Sequence, residues 1–217
     1  MAIASYTDLV TSVQNWSALT GTAYTDRIDE IIGLCEQRIC YGDETVGNDP
    51  LRVRGMEATS DLSISTQSTS LPTGFLESRG LYLNTSVKGA MPYYPPDRFW
   101  ESVVGAQSTT GQPAIYTIEG DNIVVAPSPD ATYTGKLLAY TKPTGLSASN
   151  STNWIITNAP SVYLYGCLLE QAIFDKNDTE IKKQGGLFKG AINSLNTQDR
   201  RARYSGSTLT VKTDNTP

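Results

Sequence analysis

Hydrophobic side chains recur every three or four positions at both ends of this chain and every second position through its middle. Residues 6–17 (YTDLVTSVQNWS) place Leu9, Val10, Val13 and Trp16 on one helical stripe, with Thr7 as the expected N-cap. A Gly-Thr break at 21–22 follows. Residues 25–41 (TDRIDEIIGLCEQRICY) predict a clearer helix, with Ile28, Ile31, Ile32, Cys35 and Ile39 on one face and Thr25 placed to cap it. Asp26, Asp29 and Glu30 lie in its first turn, where the helix dipole favours anions.

After a Gly-, Asp- and Pro-containing link at 42–56 the period changes. Residues 57–65 alternate at Leu62 and Ile64, and 71–83 carry a Pro-Thr-Gly turn followed by FLESRGLYL. Residues 91–100 (MPYYPPDRFW) are rich in aromatics and proline. The strongest local signal is at 114–129, where two β-prone runs flank Glu119-Gly120-Asp121-Asn122, a hairpin turn. One more strand is predicted within 133–143.

Helical periodicity returns after Asn153. Asn158 reads as an N-cap, with Pro160 in the first turn of a nearly all-apolar helix to Phe174 that should be central. Residues 178–203 predict a long helix with a stripe at Ile181, Leu187, Phe188, Ala191, Ile192 and Leu195, weakened or kinked at Gly185-Gly186. Arg200, Arg201 and Arg203 sit at its end, and a polar tail follows with one short β-prone piece, Leu209–Val211. The expected class is α+β: a helical bundle formed from N- and C-terminal helices, with an inserted antiparallel β-domain. The divisions are 1–45 for the first helices, 46–153 for the β-domain, 154–203 for the second helices and 204–217 for an extended tail.

Charge changes this picture only locally. Residues 1–50 hold eight acids against Arg27 and Arg38, and the rest of the chain holds fourteen acids against fifteen bases. A solvated acidic helical face accounts for this, and so does a surface meant to repel DNA or meet a basic partner. No basic stripe of the kind that grips phosphates is present. The start of the chain lacks a basic region followed by an apolar run, and no window reaches the apolar length of a membrane span. Synthesis in a cytoplasm and no membrane association are expected.

Candidate chemistry is sparse. The chain contains no histidine, which removes Ser-His-Asp and Cys-His arrangements and leaves any zinc site to thiolates and carboxylates. Cys35, Cys40 and Cys167 form no CxxC pair and read as structural thiols. Neither GxxxxGK[ST] nor GxGxxG occurs. Asp43/Glu44 and Glu119/Asp121 are the nominal carboxylate pairs, and both fall in predicted turns. Tyr93, Tyr94, Phe99 and Trp100 fit a carbohydrate platform or, more economically, packing of the β-domain or a subunit contact. No catalytic residue, metal or cofactor is expected.

Several stretches read together. SYTDLVTSVQNW (5–16), RVRGMEAT (52–59), LPTGFLESRGLYL (71–83), the run at 113–147, TNWIITNAPSVYLYGCLLEQA (152–172) and LNTQDRRARYSG (195–206) resemble, in order and spacing, phage head–tail adaptor proteins of the tail tubular protein A type. The resemblance implies a non-enzymatic virion protein of the neck, in a ring of twelve copies that joins the portal to the tail. DNA passes through that ring without specific binding. Its partners would be the portal protein and a tail, nozzle or stopper protein. The matching C-terminal segment would reach the portal, which nominates Arg200, Arg201, Arg203, Tyr204, Leu209 and Val211 for docking. Alternatives are another neck or tail-completion (stopper) protein and a carbohydrate-binding module.

Overall fold

The computed structural model describes residues 2–17, 26–84, 90–103 and 110–205. They gather into two units, one from Met1–Gly55 with Thr144–Pro217 and the other from Met56–Pro143. The class is α+β with antiparallel sheets.

In the first unit, α1 (Tyr6–Ser17) is capped by Ser5 rather than by the expected Thr7. The Ser5 hydroxyl accepts the Asp8 N–H at 3.3 Å and donates to Asp8 Oδ2 at 2.8 Å, a reciprocal arrangement three residues apart. Thr7 already lies inside the helix, so it cannot cap it. Leu9 and Val13 are buried, but Trp16, expected on the same stripe, is 62% exposed. Helix α2 (Ile28–Tyr41) buries Ile28, Ile31, Ile32, Cys35 and Ile39 as its pattern requires, and Glu36 and Cys40 beside them. The proposed cap Thr25 and the break at 21–22 lie outside the described residues.

Asn153 caps α4 (Trp154–Asn158) by accepting the Ile156 N–H at 3.0 Å. Asn158, expected as the cap of the next helix, is the last residue of α4 and donates to the Trp154 carbonyl at 2.8 Å. Ala159 breaks the helical path, and Pro160 opens α5 (Pro160–Phe174), its missing N–H costing nothing in a first turn. Helix α5 is buried on nearly all sides and packs against α1, α2, α4 and α6 (Asp178–Tyr204). The closest approach is at Gly166, where a Cβ would stand 2.3 Å from Cys35 Sγ and 3.0 Å from the Phe188 ring. Helix α6 runs through Gly185-Gly186 as one element. Its inner side is Gln184, Gly185, Phe188 and Ile192, while Leu187, expected in the stripe, is exposed.

Two buried polar groups hold this unit together. Arg38 on α2 pairs with both Glu170 on α5 and Asp43 beyond the helix end. Glu36 accepts the Leu146 N–H at 2.7 Å and the Tyr163 hydroxyl at 3.0 Å, and Tyr163 in turn accepts from Asn153 Nδ2 at 2.7 Å. Burial, and then the Glu36 charge, push the Tyr163 phenol far above its ordinary ionisation range. The Cys35 thiol is likewise raised, by its hydrogen bond with Cys167 and by burial, so these cysteines act as core residues.

In the second unit, β1 (Glu57–Ile64), β3 (Phe75–Leu83), β4 (Ala90–Met91) and β7 (Tyr133–Thr141) form a sheet in the order β1-β7-β3-β4. Strands β2 (Ser68–Ser70), β5 (Ile115–Glu119) and β6 (Asn122–Ala126) form a second sheet in the order β2-β6-β5. The first and last strands pair with Glu57 opposite Tyr140, so the chain enters and leaves this unit side by side. The predicted hairpin joins β5 to β6, with Gly120 at a positive φ of 55°. Leu62, Ile64, Leu81, Leu83 and Leu137 from one sheet meet Tyr116, Ile123 and Val125 from the other in a shared core. Helix α3 (Pro96–Val103) covers the opposite face of β6, where Phe99 and Val103 bury Val124 and Ala126. A strand covered on both faces shows no alternation, which is why Ile123 to Ala126 are all apolar.

Candidate interaction surfaces

The end of α6 is built on the segment that precedes β1. Asn196 accepts the Arg52 N–H at 2.9 Å and donates to the Pro50 carbonyl at 3.1 Å. One turn on, Asp199 accepts the Arg54 N–H at 3.0 Å and the Arg54 Nε at 3.2 Å through one oxygen, and the Arg203 Nε at 2.6 Å through the other. Burial alone would raise the Asp199 carboxyl, but these donors outweigh it and hold it below the usual carboxylate range. The segment therefore satisfies its backbone through side chains of α6, which fixes the helix end in place.

This arrangement sorts the three arginines. Arg203 is held by Asp199 and half-buried, whereas Arg200 and Arg201 are exposed. Arg201 borders an open groove of about 420 Å³ shared with Asn193, Ser194, Thr197 and Gln198. A second groove, of about 270 Å³, has Val53, Trp154, Leu195 and Ala202 as apolar lining and Arg54 and Asp199 as charged lining. The backbone of Tyr204 ends α6, and Leu209 and Val211 lie outside the described residues. The second groove went unforeseen because it depends on residues about 150 positions apart in sequence, Val53 and Ala202.

The other nominated residues are used for packing. Phe99 is fully buried, its ring edge-on to Trp100 at 5.3 Å, and the Trp100 indole N–H donates to Glu119. Arg98 lies over the Tyr94 ring at 5.6 Å, and Tyr93 meets Tyr116 edge-on at 5.5 Å. Of the carboxylate pairs, Asp43 is tied to Arg38 and accepts the Thr45 N–H at 2.7 Å, while Glu119 holds Trp100. Glu44 and Asp121 are exposed turn residues. Among the described residues no cluster of three or more His, Cys, Asp or Glu could hold a metal ion, and no helix is long and apolar enough to cross a membrane.

Residues 4–212 match the model of the SU10 adaptor protein family. The chain belongs to this family of phage head-to-tail adaptors. It is thus a structural protein of the phage virion, located at the head–tail connection. No individually curated protein matches the sequence. The match spans both units and all of α6.

Proposed function

We propose that this adaptor acts as one subunit of a twelve-membered ring that joins the portal to the tail, with DNA passing through the ring without specific binding. The family match over residues 4–212 carries the reading. In it, the helices of 1–45 and 154–203 form a bundle that carries the β-domain of 46–153, and the tail of 204–217 reaches the portal. Arg200, Arg201, Arg203 and Tyr204 present the docking end of α6, and Leu209 and Val211 extend it along the portal as an added strand or anchor. The firm seating of α6 on Pro50–Arg54 supports this, because a docking element transmits position only if its base is fixed. The acidic balance of the first 50 residues is compatible with a collar that does not grip DNA.

The experiment is the mass of the protein alone and after mixing with a portal ring. Twelve copies added per portal is the expected outcome. A chain lacking 205–217 should stay folded and lose portal attachment, and normal docking by that truncated chain would refute the role given to the tail. A narrow plug in place of a wide ring in negative-stain images would assign the protein to tail completion instead.

A further inference from the structure

The first unit turns two helices inward on α5 and leaves their outer faces without a partner among the described residues. Cys35 of α2 and Phe188 of α6 both press on Gly166, so the opposite sides of these two helices point away from the core. The two outer faces are unlike each other.

On α2 the outer face carries Asp26 just ahead of the helix, then Glu30, Leu34 and Tyr41. Leu34 and Tyr41 are two turns apart and therefore share a side, with exposures of 44% and 63%. Asp26 and Glu30 have no ion-pair partner among the described residues, and the one neighbouring cation, Arg27, lies over the Phe174 ring at 4.7 Å. This face is acidic at one end, and along the rest Leu34 and Tyr41 flank the exposed Gln37. On α6 the outer face carries Lys182 and Lys189, again two turns apart, both exposed and without an acidic partner among the described residues. Leu187, 41% exposed, stands on the other edge of this face, across the helix from the lysines. Gly186 and Gly190 complete the face, and a Cβ at either position would meet nothing within 4 Å. Gly185, by contrast, has a reason inside the subunit, because a Cβ there would come within 3.3 Å of Val46. A glycine inside a helix costs about 1 kcal/mol relative to alanine. For Gly186 and Gly190 nothing among the described residues offsets that cost, while a helix laid against them would gain from the close approach.

We infer that the outer face of α2 on one copy docks against the outer face of α6 on the next copy. Each face repels a like face, acid against acid or lysine against lysine, so two-fold pairing is disfavoured. Each attracts the other, so the contact is head-to-tail, the geometry that closes into a ring when the rotation allows. Leu34 and Tyr41 meet Leu187 over the glycines, and Asp26 and Glu30 meet Lys182 and Lys189. The inference rests on the ring reading above and assigns the surfaces that make it.

The test uses the full chain in two surface variants, Asp26→Lys/Glu30→Lys and Lys182→Glu/Lys189→Glu, with sedimentation velocity to measure self-association and circular dichroism to confirm folding. Each variant alone should self-associate at least about tenfold more weakly than the wild type. An equimolar mixture should recover association, because copies alternating between the two variants present opposite charges at every junction. Wild-type association should also weaken as salt rises. Undiminished association of either variant, a mixture that fails to recover, or salt-insensitive assembly of the wild type would each overturn the assignment. So would duplex DNA binding that is lost in Lys182→Glu/Lys189→Glu while self-association is unchanged, since that face would then belong to DNA. A wild type that rings a portal while both variants do so equally well removes only the assignment of faces. A wild type that never assembles, alone or on a portal, removes the ring reading with it.

Discussion

The helical unit and the β unit solve the same burial problem in opposite ways. The β unit puts its aromatic and aliphatic side chains inside and shows solvent a surface rich in Ser and Thr; among the described residues only Tyr82 and Tyr93 are large apolar groups left exposed there. The helical unit leaves Trp16, Leu34, Tyr41, Ile173, Phe174 and Leu187 exposed, and places charged side chains in its interior instead. Arg38, Glu170 and Glu36 occupy positions that a self-contained bundle would fill with leucine. Buried charges contribute less to stability than apolar packing would, but they specify one arrangement of helices when fully partnered. The contrast teaches that the β unit buries nearly all its large apolar groups within itself, whereas the helical unit leaves several at its surface.

The comparison can be broken most directly by deletion in the core. Phe188→Ala should destabilise the helical unit by about 3–5 kcal/mol, because the ring fills the crossing of α2, α5 and α6 at Gly166. Phe99→Ala should cost the β unit a similar amount, and denaturant curves that show two transitions would locate each loss in its own unit. Next comes the buried charge. Glu170→Ala should cost about 3 kcal/mol, at the low end for a broken buried pair, because Arg38 keeps Asp43. Unchanged stability in a urea titration would show that the polar interior is dispensable.

The pH dependence is a finer probe. A tyrosine in the unfolded chain ionises near 10, and the folded pKa of Tyr163 lies above that. The interaction is therefore fully present below pH 10 and weakens above it, by about 1.4 kcal/mol per pH unit. Tyr6, whose hydroxyl donates to Asp29 at 2.6 Å, is pushed up to about 12 by burial and that bond, so its share of the decline ends there. Tyr163→Phe should flatten the alkaline loss seen by urea titration, and an unchanged slope would place the sensitivity elsewhere. The smallest expected effect is at Trp16→Ala, within about 0.5 kcal/mol in thermal melts of the isolated subunit, since the side chain is mostly solvated. A larger loss would mean that the exposed apolar residues of this unit serve the monomer after all.

Where the chain repeats a period over two or more turns, local reading was enough. The face of α2 and the span of α5 follow from the spacing of their apolar residues. The β5–β6 hairpin follows from a turn that only Gly120 and its polar neighbours favour. Short elements escaped that reading. Helix α3 hides in a proline- and tyrosine-rich stretch, and its evidence is Pro96 in a first turn with Phe99 and Val103 four apart. Strand β2 is three hydroxyl residues that pair only because β6 lies beside them. Leu187 and Trp16 fit their helical stripes within tolerance, yet both ended outside, since a stripe defines an inner face only to within one residue in each turn.

The sequence by itself determined which segments are helical and which alternate, the absence of imidazole chemistry, the clustering of acids near the start, and membership of an adaptor family. Those properties depend on neighbours within a few residues or on the ordered pattern of the whole chain. The tertiary structure alone decided that Arg203 is held while Arg200 and Arg201 are exposed, that Asn196 and Asp199 anchor α6 to Pro50–Arg54, and that Gly185 is packed while Gly186 and Gly190 are open. Each of these depends on groups far apart in sequence brought within a few ångströms. No local pattern of residues encodes such distances.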